Sequence, residues 1–214
     1  MIWVGGQLVS EGTGGVYGER MIQGYRQWSP RRSKLSALYH LGMGVELKMD
    51  HKVLYLGAAN GTTVSHVADY VEVVYAVEPA PRPMQDLIVV AQKRSNIIPI
   101  MADARTPDGY LPLVEAVDII YQDVAQPDQV EILFANTRFL KPGGVMVFML
   151  KPRSIDVTRA PPDVAATVED DLIRRGIRTG GCIWLSPYYP DHAALICSRV
   201  SKQEEDQVTR GNHG

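Results

Sequence analysis

Residues 53–61 read VLYLGAANG, followed by Thr62 and Thr63, by a second apolar run, and by Glu78 at the tip of residues 71–78, VEVVYAVE. An apolar strand that breaks at a glycine, turns through small residues and restarts as a helix brings bare backbone N–H groups against a ligand. An acid about twenty residues further on, at the end of the next strand, is placed to accept hydrogen bonds from a ribose. The stretch reads as a nucleotide-type cofactor site on an α/β fold.

The glycine spacing bears on which cofactor. A nicotinamide fingerprint runs G-x-G-x-x-G, whereas here Gly57 and Gly61 frame Ala58, Ala59 and Asn60, and hydroxyl residues replace the remaining glycines. This looser form suits S-adenosylmethionine. Thr62 and Thr63 fall where a helix begins, so capping that helix is the alternative role for either. For Glu78 the alternative is an ordinary strand-end acid.

Outward from this stretch, apolar residues recur at helical spacing over 34–47 (Leu35, Leu38, Leu41, Val45). Strands are expected over 53–56, 73–78, 97–101, 117–123 and 144–150, alternating with helices over 63–70, 83–94 and 129–139. Such alternation makes a parallel sheet with helices on both faces. After the prolines at 161 and 162 come a helix to about residue 175 and two β runs, 177–185 and 193–200, near enough to pair as a hairpin. That pairing places an antiparallel strand near the C-terminus. The glycine-rich start, 1–18, fits small strands and turns. The expected organisation is a small N-terminal β appendage over 1–30, the main domain over 31–200 and a polar, disordered tail over 201–214.

Composition narrows the function classes. The chain of 214 residues, 45% apolar and 21% charged, can bury one full α/β core. Cys182 and Cys197 lie far apart with no C-x-x-C spacing, which indicates neither a disulfide framework nor a zinc site and points to a reducing, cytoplasmic setting. No apolar run reaches the length of a membrane span, the first ten residues lack the basic region of a secretory signal, and His40, His51, His66 and His213 have no convergent partners for a metal. A net charge of −2 argues against tight RNA binding by the chain alone, although Arg20, Arg26, Arg31, Arg32 and Lys34 crowd one stretch. That stretch reads equally as an RNA-facing patch or a solvated loop. Arg153 and Arg159 are similarly open between phosphate contacts and surface charge.

Ligands of open α/β sheets bind at the carboxyl ends of the strands. Asp103, Asp123 and Lys151 end three successive expected strands, in DAR, YQDVAQPDQ and FMLKPRS. Such a set suits transfer of a methyl group to a hydroxyl, because the sulfonium carbon is already electrophilic and the protein has to align the acceptor and handle its proton. Either a lysine or an aspartate could take that proton.

The segments WSPRRSKLSA, LYLGAANGTTVSHVAD, VYAVEPAPR, IIPIMADAR, DIIYQDVAQPDQ, LKPGG, KPRSIDVT and YYPDHAAL resemble those of the fibrillarin family, in its short archaeal form without a Gly/Arg-rich N-terminal region. The match spans about residues 16–199. The resemblance implies a Rossmann-like methyltransferase fold, with a mostly parallel seven-stranded sheet, an antiparallel strand near the C-terminus and a small N-terminal β appendage. It implies an S-adenosylmethionine-dependent RNA ribose 2′-O-methyltransferase, guided by C/D-type small RNA to rRNA and tRNA. A Nop-domain scaffold and a kink-turn-binding subunit would hold it on the particle, and no membrane is involved.

By the same resemblance Lys34, Asp123, Lys151 and His192 form a catalytic tetrad. Gly57 and Ala58 belong to the cofactor loop, Thr62 and Thr63 lie by the methionine end, and Glu78 meets the ribose. Asp103 and Ala104 meet the adenine, and Asp123, Val124, Ala125 and Gln126 line the methionine and acceptor side. Pro79 stands where many members of the family have an aromatic, so stacking on the adenine falls to its ring or to another group. Two rival readings are a nicotinamide oxidoreductase, which leaves Lys34, Lys151 and DVAQPDQ without a role, and a non-catalytic RNP subunit that keeps the fold, against which the Lys-Asp-Lys set counts.

Overall fold

The computed structural model describes residues 1–12 and 14–200, so the expectation for 201–214 lies outside the described residues. The N-terminal strands β1 (Ile2–Val4), β2 (Gln7–Ser10), β3 (Met21–Ile22) and β4 (Tyr25–Gln27) form an antiparallel sheet of order β1-β2-β4-β3. Helix α1 (Lys34–His40) follows, and then β5 (Lys52–Leu56), α2 (Thr62–Val67), β6 (Val73–Val77), α3 (Pro81–Lys93) and β7 (Ile97–Ile100). The second half runs β8 (Val117–Gln122), α4 (Gln129–Asn136), β9 (Leu140–Leu150), α5 (Pro152–Ile155), α6 (Pro161–Arg174), β10 (Ile177–Thr179), β11 (Ile183–Trp184) and β12 (Ala193–Arg199).

The main sheet has the order β10-β12-β9-β8-β5-β6-β7, and β11 adds to β12 beside that path. Strands β9, β8, β5, β6 and β7 are parallel, while β12 runs antiparallel between β9 and β10. The seven expected strands, the antiparallel C-terminal one among them, are therefore present, with two-residue β11 as an addition. Because β5 pairs with both β6 and β8, the strand order reverses there, and the loops after β5 and β8 face each other across a crevice.

Alternation of side chains across the strands builds two cores. Val53, Tyr55, Val74, Ala76, Ile119, Tyr121, Val147 and Met149 pack on one face with Leu8, Trp28, Leu35 and Leu38 from the N-terminal segment. Leu54, Leu56, Tyr75, Val77, Ile120, Met146, Phe148 and Leu150 pack on the other with Val164, Val168 and Leu172 of α6. The N-terminal sheet thus shares the core of the main domain.

Two expected elements depart most from the structure. The helix expected over 34–47 ends at His40, because Gly42 takes a left-handed φ of 75° and the side chains of Val45 and Leu47 reach the core from a loop. The β run over 177–185 splits into β10 and β11 at Gly180 and Gly181, where φ at Gly181 is 93°.

A buried polar cluster fastens the N-terminal sheet to α2 and α3. The fully buried Arg26 guanidinium reaches Glu19 Oε1 at 3.3 Å and Asp69 Oδ2 at 3.1 Å, and Arg94 Nε takes the other Asp69 oxygen at 2.7 Å. His66 Nδ1 lies 3.1 Å from Arg26 and 2.7 Å from Ser10 Oγ, and its ring stacks on Trp28 at 5.1 Å. Ser10 Oγ also donates to Asp69 Oδ2 at 2.7 Å, so Nδ1 is shared between Arg26 and Ser10 within one network. Arg26, counted from the sequence among a surface basic stretch, is instead interior. The outer part of that stretch is Arg20, Arg31 and Arg32.

Burial, together with Arg26, Arg94 and Arg32, holds the proton affinity of the His66 imidazole well below its ordinary value of about 6.5. The unfolded chain therefore takes up a proton near that value while the folded chain does not, so stability falls as pH drops below about 6.5. The slope from this one site approaches about 1.4 kcal/mol per pH unit. Melting curves between pH 7.5 and 5 should show that loss in the parent chain and a flatter profile over the same interval in His66→Asn.

Candidate active site at the strand carboxyl ends

Asp123 follows directly after β8, and two lysines from distant segments close on it. Lys34 Nζ donates to both Asp123 carboxylate oxygens at 3.0 Å. Lys151 Nζ lies 2.8 Å from Oδ1 and donates to the Asp123 backbone carbonyl at 2.9 Å. All three side chains are about 15% exposed or less, which is enough shelter to strengthen the pairing and enough opening to admit a ligand.

Each lysine is positioned from its own backbone. Lys34 is the first residue of α1, whose N-cap Ser33 accepts from the Ser36 N–H at 3.2 Å and from the Thr63 hydroxyl at 3.0 Å. Ser36 Oγ in turn donates to the Trp28 carbonyl at 2.5 Å, so the start of α1 is fixed to both the N-terminal segment and α2. Lys151 follows directly after β9, and the buried Gln129 side chain grips it reciprocally: the Lys151 N–H donates to Gln129 Oε1 at 3.0 Å and Gln129 Nε2 donates to the Lys151 carbonyl at 3.1 Å. Gln129 was not picked out from the sequence. Its signal there is an amide at the head of a mostly apolar helix, QVEILFAN.

His192 lies in the turn before β12, half-buried, with Nδ1 buried and without a hydrogen-bond partner. Burial first, and then the Lys34 and Lys151 charges, lower its proton affinity, so the ring is neutral beside the two ammonium groups. Beneath the cluster the rings of Tyr55 and Tyr121 pack 4.4 Å apart. Both phenols are pushed well above 10, by burial above all and with the Asp123 charge contributing, so this floor is uncharged.

The adjoining pocket encloses about 210 Å³ between the loops after β5, β6, β7 and β8. Among the sequence candidates, Gly57, Glu78, Pro79, Asp103, Ala104, Asp123, Val124, Ala125, Gln126 and Lys151 line it. Ala59, Arg105 and Ile132 also line it and had not been singled out. Ala59 holds a φ of 48°, an uncommon conformation for a residue with a Cβ, in the turn between the two glycines. Glu78 is nearly buried and already accepts from the Ala59 N–H at 2.8 Å and the Ala80 N–H at 2.9 Å. It organises the turn while keeping lone pairs for a ligand.

Ala58, Thr62 and Thr63 lie outside the pocket wall. Ala58 is buried under the turn with its N–H on the Val77 carbonyl. Thr62 Oγ1 donates to Asn60 Oδ1 at 3.1 Å, and Thr62 borders a second cavity beside Arg20, Arg32 and His66. Thr63 faces Ser33 instead. Neither threonine caps α2, because the N-cap is Gly61 with a φ of 82°. Arg153 pairs with Asp191 at 2.7 Å, and Arg159 bonds the Asp163 carbonyl and Thr167. Among the described residues no group of three or more His, Cys, Asp or Glu could hold a metal, and no helix is long and apolar enough to cross a membrane.

The fibrillarin family model matches residues 8–201. The chain belongs to the fibrillarin family. A fibrillarin-like rRNA/tRNA 2′-O-methyltransferase of Methanoculleus marisnigri is 63% identical over 199 residues, covering 93% of this chain and 99% of the relative. One of the same description from Methanopyrus kandleri is 50% identical, covering 85% and 82%. Among solved structures, a fibrillarin/Nop5p complex superposes with a TM-score of 0.86 at 43% identity, covering 91% of this chain and 94% of that one. Aeropyrum pernix fibrillarin with natively bound S-adenosyl-L-methionine gives 0.78 at 42% identity, covering 86% and 84%. At these scores the chain has the same fold as these fibrillarins.

Gly57 is the tightest point of the site: with φ at 81°, an added Cβ would stand 2.9 Å from the Asp123 carbonyl oxygen. Gly143 has a similar φ of 77° but open space around it. Gly143→Ala should therefore cost only the left-handed conformation, about 1–2 kcal/mol, whereas Gly57→Ala should cost distinctly more because the β8 loop must also shift. Urea unfolding of the two variants measures the difference, and equal losses would contradict the close approach.

Proposed function

We propose that this fibrillarin-family chain is an S-adenosylmethionine-dependent RNA ribose 2′-O-methyltransferase, the catalytic subunit of a C/D guide RNP acting on rRNA and tRNA. The observation that carries the reading is the Asp123 carboxylate held between the Lys34 and Lys151 ammonium groups at the rim of the pocket. A nicotinamide oxidoreductase would have no use for this cluster. A subunit that only kept the fold would have no reason to hold two like charges together at partial burial.

The pocket residues fit the cofactor. Glu78 offers carboxylate acceptors to a ribose diol, and Asp103, with the Ala104 backbone, offers polar contacts to an adenine edge. Pro79, Ile132 and the Arg105 stem supply the apolar walls that an aromatic would otherwise provide. Arg105 is held over the pocket by Asp128 at 3.3 Å. The loop Asp123 to Gln126 joins this pocket to the lysine cluster, which supports assigning the methionine end and the acceptor to that side. Ser33 and Thr63 support that end from the side of α1.

When bound, the cofactor supplies an electrophilic methyl group. The protein's share is to orient the acceptor and stabilise the charge that develops on its oxygen. Two ammonium groups against one carboxylate leave a net positive charge, in a site sheltered enough for that charge to act at short range. Asp123 is acceptor-only when ionised and sits between them, positioned to align a 2′-hydroxyl or accept its proton. His192, neutral and adjacent, completes the tetrad.

Sequence-independent RNA affinity needs many phosphate contacts, and with a net charge of −2 the exposed Arg20, Arg31 and Arg32 beside α1 supply few. Guide–target pairing would choose the nucleotide. A Nop-domain scaffold, of the kind named in the fibrillarin/Nop5p structure, and a kink-turn-binding subunit would hold the chain on the RNA. We place the protein in the cytoplasm, where Cys182 and Cys197 would stay as the free thiols they are in the structure.

Three measurements bear on the reading. Asp123→Ala and Lys151→Ala should each lower single-turnover methylation by about two or more orders of magnitude while the chain stays folded. Glu78→Gln should weaken S-adenosylmethionine binding about tenfold by calorimetry, since it removes charge-assisted bonds worth roughly 1.5–3 kcal/mol each. The isolated chain should methylate little. Addition of scaffold, kink-turn subunit and guide RNA should switch transfer on at one nucleotide, and a 2′-deoxy residue at that nucleotide should abolish it. Efficient, site-specific transfer by the chain alone, or methylation of the 2′-deoxy target, would overturn the assignment.

A further inference from the structure

The turn between β11 and β12 carries an aromatic ring that the chemistry above leaves unused. Tyr189 is half-buried, and the Lys34 ammonium sits over its ring with Nζ 5.2 Å from the centroid. The His192 ring stacks on the same side chain, with centroids 5.9 Å apart and planes within 20°. The backbone keeps the turn in place: the Tyr189 N–H donates to the Leu185 carbonyl at 2.9 Å, the His192 N–H to the Tyr189 carbonyl at 3.1 Å, and the Leu185 N–H to the His192 carbonyl at 3.0 Å. One side chain thus touches two members of the cluster that enter from opposite ends of the sequence.

We propose that Tyr189 is a positioning residue for the methyl transfer, its ring face holding the Lys34 ammonium against Asp123 and keeping the His192 ring beside it. The inference rests on the methyltransferase reading. Lys34 reaches Asp123 on a flexible four-carbon stem, and Lys151 presents a like charge to the same carboxylate. Something attractive must steady the second ammonium. A carboxylate in that place would cancel the positive charge that the developing alkoxide needs, whereas an aromatic face attracts a cation without carrying a charge of its own. Burial and the Asp123 charge raise the Tyr189 phenol above its ordinary range, so the side chain carries no charge beside the ammonium. A packing role alone would be met by any apolar side chain of similar bulk. The aromatic character is what the geometry uses.

The test uses the full chain assembled with its scaffold, kink-turn subunit and guide RNA. Tyr189→Leu should lower kcat about tenfold or more while the Kd for S-adenosylmethionine and the KM for target RNA stay within about twofold, and Tyr189→Phe should recover the rate to within about threefold of the parent. A series of fluorinated phenylalanines at position 189 keeps the shape nearly constant while weakening the negative ring face, so kcat should fall stepwise with each added fluorine even if the leucine variant folds poorly. A leucine variant as fast as the parent, equal losses in leucine and phenylalanine variants, or a flat fluorine series would each overturn the proposal. A parent chain that transfers no methyl group in the same assembly would overturn the underlying function, and this inference with it.

Discussion

The placement of the candidate site depends on one buried ion pair. Arg26, with no exposed surface, binds Asp69 from the N-terminal sheet side while Arg94 binds the same carboxylate from the end of α3. Taking these charges out of water is costly, and the cost is offset only because each oxygen of Asp69 and most of the guanidinium donors have partners. The pair therefore specifies a single docking of the N-terminal sheet on α2 and α3. That docking sets where Trp28 lies, and Ser36 fastens α1 to the Trp28 carbonyl. Lys34, the first residue of α1, is consequently delivered to a carboxylate 89 positions away.

The second constraint is the sheet topology. Reversal of strand order between β5 and β8 opens a crevice at their carboxyl ends, and Gly57 lets the two following loops approach until only a hydrogen fits against the Asp123 carbonyl. A left-handed Ala59, a buried Glu78 bonded to two backbone N–H groups and a reciprocal Gln129–Lys151 pairing then hold the rim. Each of these spends local stability or a buried polar group on shape rather than on packing. Concentration of such features at one end of the sheet is what distinguishes a site from a surface.

Electrostatics divides the molecule in the same way. The cluster around Arg26 is closed, buried and ion-paired, and its histidine is neutral, so it is a structural joint whose sensitivity to acid is a consequence of burial. The cluster around Asp123 is partly open and carries an excess ammonium, flanked by a neutral histidine and an aromatic ring. Similar residue types thus do different work according to how far water reaches them.

Local pattern decided the fold class. Apolar runs of strand length alternating with helical periodicity between residues 53 and 150, and the turn at Gly57 to Gly61, are properties of neighbouring residues, so the parallel sheet and its cofactor-type loop were legible without coordinates. Strand ends likewise marked Glu78, Asp103, Asp123 and Lys151, whereas Lys34 and His192 came only from resemblance to a family. What remained hidden were facts of sequence-distant packing. That Arg26 is interior, that α1 stops at His40 while Leu47 still enters the core, that Thr63 turns to Ser33, that Gln129 grips Lys151 and that Tyr189 faces Lys34 all depend on which surfaces meet. A sequence encodes periodicity and turn chemistry within a few residues of each position. The partner of a buried charge or a ring face lies tens of residues away, and only the tertiary structure chooses it.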